Sequence, residues 1–310
     1  MAISVGSAVG AGFNLIGRRP LAVLGWGAFM LLVILVIEVL AFALFGFPTP
    51  AASVVGAGLT PTAILQQMGS DIGRTLFVTA VEMPLFAVMA GAVMRAVLEP
   101  DHRGFASIRV GGQEGALLLL YLLLIPVWIG VCVVSIAPVG LSIFLATKIG
   151  GFLGGFVAFL LIVGYLMTLM WFSLRFSMAI PMTFVERRVR FLGSWEVTRG
   201  EGWRLFGLAW LLLLVGVGIG IAFLIAFFIL VMILAGVGIA VGAASGLNAQ
   251  SISRNPGSLL ALGPVFLLVL LALMIPYSFF IGCTQAIFQA PWAEAYREIK
   301  GSGDVSATFT

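Results

Sequence analysis

Four stretches without one charged side chain, residues 115–147, 149–174, 205–253 and 255–293, dominate this 310-residue chain. Each is longer than the roughly eighteen to twenty apolar residues with which an α-helix crosses bilayer hydrocarbon. Between residues 20 and 98 lie two more apolar stretches, each interrupted by one carboxylate, Glu38 and Glu82. A soluble core has no room for them, because 62% of the chain is apolar and 9% charged, against about 45–50% and 25% in ordinary domains. The predicted fold is therefore all-α: a polytopic bundle of six transmembrane helices forming a single membrane domain over 1–310.

Basic residues orient that bundle. Spans placed near 21–47, 75–98, 116–140, 152–180, 204–232 and 258–288 put thirteen of the sixteen Lys and Arg at inner ends. Only Arg74, Lys148 and Arg254 fall outside. Short basic loops resist translocation, so both termini are expected in the cytoplasm, with the protein in a bacterial inner membrane. The net charge of +4 reads as topology, not as nucleic-acid binding. Trp26, Trp203 and Trp292 near the inner ends match an aromatic belt. Leu21–Phe47 is too long for a signal sequence and contains Glu38, so it reads as a retained first helix.

Two segments fall outside the simple pattern. The run 204–253 exceeds one span and is read either as a tilted helix extended at its outer end or as a re-entrant or interfacial turn around 233–257. Thr60-Pro61 is expected to cap a short surface helix through Met68.

The inner loops suggest a repeat. Ser107-Ile108-Arg109-Val110-Gly111-Gly112-Gln113-Glu114-Gly115 aligns without gaps on Ser194-Trp195-Glu196-Val197-Thr198-Arg199-Gly200-Glu201-Gly202, with four identities, and both run into long apolar helices. A weaker copy, Phe13–Pro20, precedes the first span. The expected unit is an interfacial helix plus a helical hairpin, used over about 1–98, 99–180 and 181–290, with 301–310 a flexible cytoplasmic tail. Val185, Val189, Leu192 and Trp195 share one helical face and Arg187, Arg188, Arg190 and Glu196 others, as an amphipathic surface helix or an ordinary basic loop would have them. Glu114 and Glu201 are placed to meet a helix dipole.

At Ser194-Trp195-Glu196-Val197-Thr198-Arg199-Gly200-Glu201-Gly202-Trp203-Arg204-Leu205-Phe206 the chain resembles the membrane domain of some bacterial glycerophosphodiester phosphodiesterases and the YciC-like inner-membrane proteins. The shared pattern is a Ser-Trp, a basic-Gly pair and an aromatic ahead of a long apolar helix. The resemblance implies a helical membrane protein linked to lipids. It carries over no hydrolytic activity, since the soluble phosphodiesterase domain is missing from this sequence.

Chemistry rests on few residues. Glu38 and Glu82 sit at matching depths on neighbouring spans and are expected to meet, either as neutral hydrogen-bonding groups joining helices or as a proton or cation site. Arg95 and Arg175 occupy the inner ends of spans two and four, with Gln285 in the comparable place of the third unit; snorkelling explains the arginines, and an anionic headgroup suits their guanidinium forks. Arg187, Arg188, Arg190, Trp195 and Arg199 complete the candidate headgroup site. Cys132 and Cys283 read as small hydrophobes, His102 as a solvated loop residue, and Gly150-Gly151-Phe152-Leu153-Gly154-Gly155 with Gly216, Gly218 and Gly220 as packing devices. No metal site, cofactor or catalytic set is expected. Non-enzymatic lipid binding or membrane organisation leads, with proton- or cation-coupled transport as the alternative. Membrane lipids are the expected partners, and self-association or a membrane-protein partner stays open.

Overall fold

The computed structural model describes residues 4–46, 61–99, 107–109, 111–244 and 264–301. These are helical almost throughout, with no strand among them. The helices are α1 (Val5–Arg18), α2 (Pro20–Phe45), α3 (Pro61–Leu98), α4 (Gly112–Ile149), α5 (Gly151–Phe176), α6 (Ala179–Glu186), α7 (Gly193–Val197), α8 (Gly202–Ala244) and α9 (Pro264–Lys300). Six of them are long and apolar enough to cross a membrane. The protein is an all-α polytopic membrane protein.

Local chemistry sets the breaks. Pro20 opens α2 at a position where its missing N–H costs nothing, and Gly46, at φ 78°, closes it. Gly150 and Gly151, both with positive φ, turn α4 directly into α5. The amino end of α1 is clamped by Glu298 of α9, which accepts from Ser4 N (2.7 Å) and Ser7 Oγ (2.5 Å). A carboxylate there also suits the helix dipole.

The first and last long helices are the most closely joined. A Cβ on Gly27 of α2 would fall 1.6 Å from the carbonyl oxygen of Ser278, and one on Gly282 of α9 would fall 1.9 Å from that of Val23. Gly12 lets α1 approach the α9 backbone at Ile287 in the same way. Beyond this contact α3 packs on α2, α9 and α4; α4 packs on α5 and α6; and α8 packs on α9, α5 and α1.

Burial is concentrated where the arginines are. On α4 it falls mostly on Glu114–Leu120, on α8 on Leu205–Leu212, on α3 on Leu85–Leu98, and on α9 on Ala286–Tyr296. The other halves of α4, α5 and α8 expose long runs of Leu, Ile, Val and Phe. Apolar surface of that extent needs lipid around it.

Several expectations change. Pro61 does not start a separate surface helix, because the helix it opens runs unbroken to Leu98. The stretch after Gly202 continues as one helix to Ala244, as the extended-helix reading of that run expects, whereas the last span runs beyond its expected end, through Pro291 to Lys300. Trp26 is buried in the core, where Gly27 draws α2 against α9, and takes no part in a belt. The amphipathic helix expected through Val185–Trp195 is broken. Met182, Phe184 and Val185 are all buried, so α6 lies inside the bundle and not on a surface. Arg187 then takes a left-handed conformation, φ 53°, which ends α6 and carries the arginines outward. His102, most of the 301–310 tail and residues 245–257 lie outside the described residues.

Candidate functional site

At the basic end, α3 and α4 are locked by a buried ion pair. Arg95 and Glu114 are only 2% and 3% exposed. Arg95 also donates from Nη1 to the Ser107 carbonyl (2.6 Å) and from Nη2 to Gln113 Oε1 (3.2 Å), and its guanidinium lies over the Phe184 ring at 5.6 Å. Gly91 makes this possible, since a Cβ there would come within 2.9 Å of Glu114 Oε1. Arg95 therefore neither snorkels nor offers itself to a headgroup. Its charge is spent inside the protein.

Arg175 is likewise engaged. Its Nη1 donates to the Thr198 carbonyl (2.9 Å), and the Ser194 hydroxyl donates back to the Arg175 carbonyl (2.7 Å). Trp171 and Trp195 flank the guanidinium at 5.1 and 5.4 Å, with the two indoles edge to face at 5.3 Å. Trp195 is thus a wall for Arg175, turned toward the bundle. The aligned segments are held alike in one respect, an arginine from the preceding helix bonded to a segment carbonyl. They differ in the carboxylate: Glu114 takes Arg95, whereas Glu201 bonds Arg204 (3.0 Å). Gln285, the third comparable residue, accepts from Gln289 one turn on.

Other basic residues stay at the surface. Arg190 pairs with Glu186 at 2.8 Å. Arg187, Arg188 and Arg199 are exposed and form no ion pair among the described residues. Leu192 and Trp203, close to them in sequence, are 77% and 86% exposed. Large apolar groups among free guanidinium groups are what the headgroup layer of a bilayer accommodates.

A small cavity of about 140 Å³ brings two of the arginines together. It is lined by Arg109, Arg187, Gly111, Gly112, Gln113 and Glu114. Gly111, the residue before α4, is extended and offers no capping side chain, so among the described residues no side chain caps the first N–H groups of α4. Gln113 gives its Oε1 to Arg95, leaving its buried Nε2 without a partner among the described residues. Glu114, the one carboxylate present, is neutralised by Arg95. The sequence did not reveal this meeting, because Arg109 and Arg187 lie in different loops and α6 must fold inward to join them.

No hydrogen bond joins Glu38 and Glu82 among the described residues, although they lie within electrostatic reach of each other. Glu38 is bonded by Arg74, whose side chain reaches back along α3. The Phe45 ring lies against Gly73, so Glu38, seven residues further in, sits about 10 Å deeper. Glu82 lines a separate groove between α3 and α4.

The glycine expectations divide as well. Gly154 lies against the Ala146 carbonyl and Gly216 against Phe288, whereas Gly155, Gly218 and Gly220 have open space where a Cβ would be.

Compared with protein-family models, with curated proteins and with solved structures, the chain finds no match. The resemblance at residues 194–206 therefore stands on those residues alone.

Proposed function

We propose that this is a non-catalytic, lipid-binding protein of the bacterial inner membrane, with both termini in the cytoplasm, that holds an anionic phosphate headgroup at its basic end. The observation that carries the reading is the cavity where Arg109 and Arg187 converge on the uncapped start of α4. Guanidinium forks bind phosphate oxygens bidentately, and helix amino ends add N–H donors and a favourable dipole. The cavity has headgroup-phosphate size, and the exposed Leu192 and Trp203 suit the same layer. Arg188 and Arg199 contribute field, while Arg95 and Arg175 shape the site from behind. The repeat reading rests on the sequence identities, since the arginine-to-carbonyl bonds fall on Ser107 and Thr198, which occupy different positions of the alignment. The non-catalytic reading rests on a sequence with one His and two Cys.

Flotation with vesicles of phosphatidylcholine with and without phosphatidylglycerol tests it. Each basic residue at an anionic surface contributes about 1 kcal/mol. Arg109→Gln with Arg187→Gln should therefore lower the preference for anionic vesicles by about 2 kcal/mol, roughly thirtyfold. Inorganic phosphate that competes equally well would identify a soluble anion as the ligand. An unchanged preference in the double variant would reduce both arginines to topology signals.

One observation favours the transport alternative. Glu82 reaches a groove without an ion-pair partner among the described residues, whereas Glu38 is already paired. On that reading Glu82, and not the Glu38–Glu82 pair, is the cation group.

A further inference from the structure

We infer that the groove between α3 and α4 is a binding site for a cationic amphiphile, a compact apolar body bearing one positive charge, with Glu82 as its counter-charge. The inference takes up the cation reading of Glu82, requires no transport, and is independent of the headgroup cavity.

Depth places the carboxylate in hydrocarbon. Along α3, Glu82 is thirteen residues from Arg95 and eight from Arg74, about 20 Å and 12 Å at the helical rise. The two arginines therefore bracket about 30 Å, the thickness of a hydrocarbon core. An ionisable side chain at such a depth turns toward protein or water and marks a site or a partner. Here no protein partner answers it. Glu82 is half-buried and makes no hydrogen bond or ion pair among the described residues. Arg74 is taken by Glu38.

Around the carboxylate the walls are apolar and aromatic. The groove measures about 550 Å³ and is lined by Met83 and Phe86 of α3 and Tyr121, Trp128 and Ile129 of α4, beside Glu82 itself. That volume lies within the range of small-molecule pockets, roughly 300–1,000 Å³. In a bilayer, apolar walls alone do not select an occupant, because lipid chains are equally apolar. Charge decides. An acyl chain leaves Glu82 uncompensated, and an anion is repelled by it, since Arg74 is already engaged by Glu38. A cation neutralises Glu82 and lies beside Phe86, Tyr121 and Trp128, which line the same groove and whose rings attract positive charge.

Two ions of nearly equal size and opposite charge, tetraphenylphosphonium and tetraphenylborate, test this by equilibrium dialysis against the full chain in dodecyl maltoside without anionic lipid. We expect protein-dependent binding of tetraphenylphosphonium at least tenfold tighter than of tetraphenylborate. Glu82→Gln should lose at least tenfold of that affinity, about 1.4 kcal/mol, and Trp128→Leu about threefold by loss of one aromatic face. The Arg109→Gln, Arg187→Gln variant should bind as the unaltered protein does, so failure at either site leaves the other standing. Equal binding of both ions, absence of protein-dependent tetraphenylphosphonium binding, or undiminished binding by folded Glu82→Gln would each overturn the site. If Glu82→Gln fails to fold, the comparison of the two ions on the unaltered protein decides.

Discussion

The two ends of α3 and α4 face each other in the same antiparallel register and behave oppositely. At the basic end Arg95 and Glu114 are buried and draw Gly91 into contact; about 20 Å away the helices part around Glu82. Both regions are apolar, so apolarity does not explain the difference. Within a membrane, helices gain little by trading lipid contacts for one another, and close packing follows small residues and polar bonds. The basic end has both: Gly12, Gly27 and Gly282 admit close backbones, Gly91 admits the Glu114 side chain, and Arg95, Arg175 and Glu298 tie segments across helices. The opposite end of α4 and α8 has glycines without neighbours and few bonds between helices, the Ser135–Tyr165 hydroxyl contact being one.

The largest effect should come from the latch. Arg95→Gln leaves Glu114 buried without its counter-charge, which costs about 3–5 kcal/mol for a broken buried pair. Thermal unfolding in detergent should show a large loss, and Glu114→Gln a comparable one. Replacing both, Arg95→Met with Glu114→Leu, should recover much of it, since a buried pair is often replaced by apolar groups at little cost. A double variant as unstable as the singles would mean that the Ser107 and Gln113 bonds, and not the charge pair, hold the end together.

Glycine substitutions sharpen the contrast at lower cost. Gly27→Ala places a methyl 1.6 Å from the Ser278 carbonyl oxygen, and overpacking of this kind costs about 1–3 kcal/mol or more. Gly220→Ala, with nothing near its Cβ, should be neutral or stabilising by up to about 1 kcal/mol from helix propensity. Unfolding temperatures that move together would deny that the ends are packed differently.

How far this asymmetry can be read from sequence depends on the residue. Four spans follow from charge-free length alone and two more from apolar length interrupted by a carboxylate, while counting arginines gathers the basic loops at one end of the bundle. The latch does not, because Arg95 and Glu114 each have a sufficient local reason for their position, snorkelling for one and a helix dipole for the other. Their pairing is a contact between helices. Trp26 misled in the same way: a tryptophan near a span end fits the belt, and only the approach of α9 at Gly282 shows that it is enclosed. Periodicity from Val185 to Trp195 failed since it describes a helix that is free to form, whereas α6 is buried and the chain turns at Arg187. At the other end, Glu82 was singled out by rarity, but Tyr121 and Trp128 opposite it were indistinguishable from ordinary span residues.

The smallest expected effect concerns the other ion pair, and its asymmetry is the test. Arg74 lies near the start of the apolar stretch of α3, at the end away from Arg95, and is bonded to Glu38, which lies about 10 Å deeper than the Phe45–Gly73 level. Glu38→Gln removes the deeper charge and frees Arg74, whose long side chain can swing back to the headgroup layer. The loss should stay within about 1 kcal/mol, as for a partly exposed pair. Arg74→Gln instead strands the carboxylate at depth, where an uncompensated charge costs about 2.5–3.5 kcal/mol on insertion scales before water or a proton relieves part of it. Unfolding in nanodiscs of phosphatidylcholine should therefore rank Arg74→Gln below Glu38→Gln. The reverse order would place Arg74 deeper in the bilayer than Glu38, and with it the whole outer half of α3.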